Sequence, residues 1–198
     1  MWPESSEKKQ PLRTGLTTGT CATACCLDGA HLLLGNIHKT SASVTLPKPK
    51  GASKHVDLEL KLVEHRGPTT AYAETIKDAG DDPDATHGAT IWVTVSLVSE
   101  LGIKFCAGAG VGTITRSGLL LEVGQAAINP VPRQMMSEHL THLAQLYQYT
   151  GGFKVTIGVV NGAEIAKKTM NGRLGIVDGL SILGTSGIVR PFSCSAWI

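Results

Sequence analysis

The sequence predicts an α/β fold with α+β elements: a mixed sheet with a β-hairpin and flanking helices, and a βαβ unit near the C-terminus. Three observations predict it. Short β-branched runs alternate apolar with polar residues, as half-buried strands do. Two longer segments rich in Ala, Leu and Met lack that alternation. The 23 glycines fall largely in clusters between the short runs, where turns and close backbone approaches belong.

Taken along the chain, Met1 to Leu12 is polar, carries two charges of each sign and reads as a disordered tail (1–12) without the apolar stretch of a secretory signal. Thr18 or Thr20 can cap a first helix through Cys21 to Leu34, closed by Gly35 at a left-handed cap. Its Ala and Leu content predicts a mostly buried helix. Ser43 to Leu46 and His55 to Leu62 flank a Pro-Lys-Pro-Lys-Gly turn and predict a hairpin, with Val56, Leu58, Leu60 and Leu62 on one face. Thr70 to Ile76 and Thr90 to Val98 are two further strands, joined by a polar stretch, Lys77 to Gly88, whose charge predicts a solvated loop. Ile103 to Cys106 is another strand. Asn129, with Pro130 and Pro132, introduces a helix from Val131 to about Tyr147, with Leu140, Leu143, Ala144 and Tyr147 as its apolar stripe. Lys154 to Val160 is a β-branched strand, followed by Asn161 and Glu164 in capping-box spacing and a helix to about Thr169. The apolar runs Leu174 to Val177 and Leu180 to Leu183 would return the chain as the buried parallel strand of a βαβ unit spanning 153–183.

Composition excludes several classes. With 18 Lys and Arg against 16 Asp and Glu, the formal charge of +2 is too small for the phosphate attraction on which nucleic-acid binders rely. The longest apolar run, around Leu32 to Leu34, falls far short of the roughly 20 residues that cross a bilayer. Neither nucleic acid nor membrane is therefore an expected partner. Five cysteines at irregular spacing, Cys21, Cys25, Cys26, Cys106 and Cys194, predict reduced thiols in a cytoplasmic protein. Cys21 and Cys25 share a helix face, but no CxxC or histidine pair completes a metal site, and no metal ligand is assigned.

Four segments could carry chemistry. Asp78, Asp81, Asp82 and Asp84 crowd into seven positions with His87 just after. Like charges so close cost stability unless compensated. Held between strands they could orient a cationic or hydroxyl-bearing ligand, bind a divalent ion, or serve as acid and base with His87; as a turn they need do none of these. Gly108-Ala109-Gly110-Val111-Gly112 follows a strand like a nucleotide-binding loop, yet the β-branched Thr113 and Ile114 after it favour a strand over the helix such a loop needs. Arg13 to Thr20, containing Thr17 and Thr18, offers hydroxyls and amides at a helix start, and Gly184-Thr185-Ser186-Gly187 offers a second such cluster. Arg116, Arg133, Arg173 and Arg190 adjoin these loops and could pair with carboxylates.

In order along the chain, Arg13-Thr-Gly-Leu-Thr-Thr-Gly-Thr-Cys-Ala-Thr-Ala24, Lys77-Asp-Ala-Gly-Asp-Asp-Pro-Asp-Ala-Thr-His-Gly88, Gly110-Val-Gly112 with Ile128-Asn-Pro-Val-Pro-Arg133, and Arg173-Leu-Gly-Ile-Val177 through Ser181 to Pro191 resemble the CbiD family of cobalt-precorrin-5B C1-methyltransferases. The resemblance covers about residues 11–193. It implies S-adenosylmethionine as methyl donor, a small-molecule corrinoid precursor as acceptor, cobalt only as part of that substrate, and a place in cobalamin biosynthesis. On that reading Asp78, Asp82 and His87 are the catalytic candidates. Arg13, Thr17, Thr18, Asp81, Asp84, Asn129, Arg133, Thr185, Ser186 and Arg190 are candidates for substrate binding, and Gly108, Gly110 and Gly112 for the donor. The family's chains continue beyond 198 into a further α/β domain. Residues 13–191 are then its N-terminal domain and 192–198 a truncated end, and an apolar face deprived of its cover would make the chain a homo-oligomer. Gly172 stands where the family more usually has proline. The competing expectations are a noncatalytic fragment that binds a corrinoid or another polycarboxylate, and a metal or redox protein built on Cys21, Cys25, His31 and His87.

Overall fold

A computed structural model describes residues 12–47 and 54–191. In chain order the elements are β1 (Gly15–Leu16), α1 (Thr18–Gly35), β2 (Ser41–Thr45), β3 (His55–Glu59), β4 (Leu62–Gly67), β5 (Thr70–Ile76), β6 (Thr90–Val98), β7 (Ile103–Ala107), β8 (Gly110–Val111), β9 (Thr113–Ile114), α2 (Pro130–Leu146), β10 (Gly152–Val159), α3 (Gly162–Ala166), β11 (Ile176–Val177), β12 (Gly179–Leu180) and β13 (Ile188–Val189). The predicted α/β class and mixed sheet are what the structure contains. The tail 1–11, the tip of the hairpin turn and Cys194 lie outside the described residues.

A five-stranded sheet in the order β4-β5-β6-β10-β7 forms the centre. It is antiparallel except for β10 and β7, which run parallel with Phe153 opposite Ile103 and Ile157 opposite Ala107. Alternation sorts the side chains: Ala71, Ala73, Ile91, Val93, Val95, Val155 and Ile157 are buried on one face, against α1. α1 lies between that face and α2, and Thr18 through Ala30 are buried without a break. A helix enclosed on all sides has no polar stripe to show, so its small residues answer to close packing, as where Gly29 meets Val95 and Ala71. The hairpin β2–β3 covers the same helix from another side. It is tied to α2 by His139, whose Nε2 accepts from the Thr45 N–H at 3.1 Å and whose Nδ1 lies 2.7 Å from the Met135 carbonyl.

Several boundaries differ from the sequence reading, each for a physical reason. The N-cap of α1 is Thr17, whose Oγ1 accepts from the Thr20 N–H at 3.2 Å; Thr18 and Thr20 instead spend their hydroxyls on the Leu183 and Gly187 carbonyls. The left-handed cap is Asn36, at φ 51°, because the missing side chain of Gly35 makes room for the Tyr147 ring. The strand expected to run to Leu62 breaks after Glu59. Leu58 and Leu60 face inward but β4 restarts with Val63 inward, so Leu62 turns to solvent, as a one-residue slip requires. Asn161 adopts φ 56° and makes no side-chain cap bond, so the capping box does not form and α3 is only five residues long. The strand–helix–strand order after residue 152 holds, yet the returning strands do not enter the main sheet: β11 pairs antiparallel with β9, and β12 parallel with β8.

Asp28 was not singled out by the sequence. It is fully buried in α1, and neither carboxylate oxygen has a hydrogen-bond partner among the described residues. Burial pushes its carboxyl up to about 6, with Lys39 and His38 pulling the other way. The unfolded value is near 3.9. A raised carboxylate is fully tolerated only below that value. Stability falls as pH rises from about 4 to about 6 and stays lowered above. Asp28→Asn is therefore expected to gain about 2 kcal/mol over the parent at pH 7.5 and nothing at pH 4. Urea unfolding at the two pH values checks this, and an equal difference at both would remove the ionisation from the explanation.

Candidate active site

The parallel pair β10 and β7 ends at the same edge of the sheet at which β5 stops and β6 begins, since Ile157 faces Ala107, Val159 faces Ile91 and Ile76 faces Thr90. Ligands in α/β proteins favour the carboxyl ends of such strands. Three segments distant in sequence close over this edge. Leu16 N–H donates to the Asp78 carbonyl at 2.8 Å, β1 pairs with β13, and Thr14 bridges to Gly80. Both long helices begin here as well. Gly19 N–H in the first turn of α1 donates to the Leu183 carbonyl at 2.8 Å, and Asn129 N–H at the start of α2 donates to that of Ile182 at 3.0 Å. The 182–187 segment thus lies between two helix N-termini, whose amides favour negative charge. Thr17 packs against Gly184, and Thr18 exchanges hydrogen bonds with Leu183 in both directions. The hydroxyl of Ser186 is used on the backbone of Ile188, while Thr185 and Arg190 are exposed beside it.

The acidic loop is not the wholly solvated turn that its charge suggested. Lys77, Ala79, Asp82 and Thr86 are buried in it. Crowding of the four aspartates is relieved by two cations. Arg13 grips Asp78 through both guanidinium nitrogens, and its backbone N–H donates to Asp81 at 2.6 Å. Lys77, only 1% exposed, donates to Asp84 at 2.6 Å, while Thr86 donates to the other Asp84 oxygen through both its N–H and its hydroxyl. The bond from Arg13 and the Gly80 N–H hold Asp78 down at about 2. Burial pushes Asp84 up, but the Lys77 charge and these hydrogen bonds outweigh it and leave the carboxyl below its usual range. Asp78 and Asp84 are thus built into the loop as anions. His87 is exposed; its Nδ1 accepts from the Ala79 N–H at 3.1 Å, so in the neutral ring the lone pair a base would use is already engaged.

The glycine loop has a structural role that its spacing did not reveal. A side chain at Gly108 would strike the Trp92 ring, one at Gly110 the Val159 carbonyl, and one at Gly112 the Ile176 side chain and the Val177 carbonyl. Where a phosphate-binding loop leaves room for a ligand, this one is filled by the crossing of β8, α3 and β12. Arg133 spends Nε on the Ile128 carbonyl at 2.7 Å and one terminal nitrogen on that of Ala126 at 3.1 Å. It therefore braces the start of α2, lies over the Phe105 ring and has no carboxylate partner among the described residues. The Asn129 side chain makes no capping bond and remains available at the same helix start. Cys21, Cys25 and Cys26 are buried, and burial pushes the Cys21 thiol up to about 12, where it stays protonated. Among the described residues no group of three His, Cys, Asp or Glu side chains is placed to hold a metal ion, and no helix is long and apolar enough to cross a membrane.

Lys77 is the residue that sequence reasoning missed, although the signal was present. Ala71, Ala73 and Thr75 point inward, and the same parity continued past the strand places Lys77 and Ala79 inside.

A mixed sheet whose parallel strand ends are closed by an arginine-braced acidic loop and two helix N-termini places the chain in the α/β class. The sequence model of CbiD matches residues 5–191, and the chain belongs to the CbiD family. It is 59% identical over its whole length to a cobalt-precorrin-5B C(1)-methyltransferase of Marinomonas sp. (strain MWYL1), covering 50% of that protein. It is 58% identical to the protein of that name from Hahella chejuensis (strain KCTC 2396), of which it covers 53%. The crystal structure of the cobalamin biosynthesis protein cbiD from Archaeoglobus fulgidus superposes with a TM-score of 0.65 at 29% identity, over 93% of this chain and 56% of that one. The chain spans about half the length of the relatives it matches.

Proposed function

We propose that this chain takes part in C1 methylation of cobalt-precorrin-5B, with S-adenosylmethionine as methyl donor and cobalt entering only as part of the acceptor, in a cytoplasmic step of cobalamin biosynthesis. The observation that carries the proposal is the meeting of Arg13–Thr20, Lys77–Gly88 and Gly184–Arg190 at one sheet edge, in a chain whose relatives of more than half identity bear that enzyme's name. Asn129, Thr185 and Arg190 suit the carboxylates that fringe such an acceptor. A sulfonium donor is cationic, and the acidic side chains Asp78, Asp81 and Asp82 offer it an electrostatic counterpart. Methyl transfer from a sulfonium is a displacement, so the contribution of these residues is to hold donor and ring carbon in line and to match charge.

Asp82→Asn is expected to lower the transfer of label from methyl-labelled S-adenosylmethionine to the cobalt-corrin precursor by about a hundredfold, with little change in thermal stability. Unchanged turnover would remove the acidic loop from the chemistry.

A further inference from the structure

β7 closes one side of the five-stranded sheet and pairs with β10 alone. The Phe153 N–H donates to the Gly102 carbonyl at 2.9 Å and the Gly108 N–H to the Ile157 carbonyl at 2.7 Å, so these two bonds bracket the ladder. In a parallel pair of this register alternate residues of β7 direct their backbone groups at the partner strand. The N–H and C=O groups of Ile103, Phe105 and Ala107 therefore point away from β10, and among the described residues none of them is bonded. An unpaired row of this kind is a template for another extended chain.

A groove runs beside this edge. Phe105 and Ala107 form one wall, and Thr113, Gln125, Ala126 and Arg133 the other. Strand alternation makes both sides of the edge basic. The Arg133 guanidinium lies over the Phe105 ring on one side. Lys104 stands on the other, directly opposite Lys154 of β10, and both lysines are exposed. Like charges in that position repel and cost stability. None of the three cations is ion-paired among the described residues.

We propose that this edge takes up an extended acidic polypeptide segment of a partner protein as a sixth strand. Ile103, Phe105 and Ala107 supply the ladder, and Lys104, Lys154 and Arg133 the charge. In strand addition the main-chain bonds supply affinity, and the alternating side chains of the added strand select the partner. An acidic strand relieves the repulsion between the two lysines. A second copy of this chain does the reverse, because pairing β7 with β7 about a two-fold axis gathers Lys104 and Lys154 of both copies on one sheet face, and lysine on an edge wards off such pairing. The acidic loop has no part in this surface, which does not depend on the reaction proposed above.

The probe is a synthetic fluorescein-labelled peptide of alternating Glu and Thr, about ten residues long, enough to span β7. Its binding is read by fluorescence anisotropy, and amide hydrogen exchange of the isotope-labelled chain is read by NMR. In the free chain the Ile103, Phe105 and Ala107 amides are expected to exchange fast. With the peptide at about ten times its Kd they should slow about tenfold, while the Lys104 and Cys106 amides, directed at β10, stay slow throughout. Lys104→Ala with Lys154→Ala should weaken binding about tenfold at low salt. Ala107→Pro removes one outward N–H and none of the β10 ladder, and should weaken binding about tenfold at any salt. Should that variant fail to fold, the exchange measurement on the parent still decides. Two control peptides separate charge from ladder: alternating Lys and Thr lacks the charge, and alternating Glu and Pro keeps the charge but loses half the amide donors. Both should bind at least about tenfold more weakly. Equal binding of the Glu and Pro peptide would reduce the edge to an anion site and overturn the proposal. So would no binding, binding that leaves the three amides unprotected, or protection of those amides in the free chain, whether constant or rising with concentration as a second copy would make it.

Discussion

Lys77→Met is expected to cost about 3 kcal/mol, because it removes the buried cation that, among the described residues, pairs with the half-buried Asp84 carboxylate and leaves Asp84 charged in a site made for a pair. For a chain of this size that lowers Tm by about 6 to 12 °C. The pair also sets the pH dependence. Asp84 titrates below its ordinary value in the fold, so the stability it confers is present above the unfolded value near 3.9 and is lost as pH falls through the lower folded one. Lys77→Met combined with Asp84→Asn should recover part of the loss, since no unpaired charge then remains, and a double-mutant cycle of thermal melts measures the coupling. Additive losses would mean that the two side chains act independently.

The second large effect is at Gly110. Its φ of 81° is one that side-chain-bearing residues rarely adopt, and a Cβ there would lie 2.0 Å from the Val159 carbonyl and 2.9 Å from the Gly162 nitrogen. Both obstacles are backbone, so neither can swing aside. Gly110→Ala is expected to cost more than about 4 kcal/mol and to abolish most soluble folded protein. Gly172→Ala, where the backbone is ordinary and nothing lies within 4 Å of the added carbon, should be nearly neutral and serves as the control. Circular dichroism and melting of the two variants side by side check the pair of expectations. A well-folded Gly110→Ala would contradict the close crossing of β8 with β10 and α3.

What was legible in the sequence was local. Thr70 to Ile76 and Thr90 to Val98 alternate cleanly, and both strands run between those residues. Pro130 behind Asn129 announced α2, and the Ala- and Cys-rich run announced a buried helix. The misplaced features depend on partners far along the chain. Thr18 and Thr20 look like caps until Leu183 and Gly187 take their hydroxyls. Asn161 and Glu164 have capping-box spacing, but the approach of Gly110 to Gly162 imposes a tighter turn. Charge was the most misleading guide. Asp-rich composition predicted a solvated loop, whereas Arg13 takes up Asp78, Lys77 takes up Asp84, and part of the loop packs inside. That candidate residues of three motifs meet at one edge is a long-range fact of the fold that their spacing along the chain does not give. The Gly108–Gly112 loop turned out to carry the packing of the β8 crossing, a use that glycine spacing alone does not distinguish from ligand approach.

The central claim is that this edge of the sheet receives a methyl donor, and calorimetric titration with S-adenosylhomocysteine, with and without a cobalt-corrin precursor, tests it most directly. The account predicts micromolar binding by the parent chain, lost in Asp82→Asn but kept in Gly172→Ala. No heat with the donor product under either condition, or binding indifferent to Asp82, would contradict it.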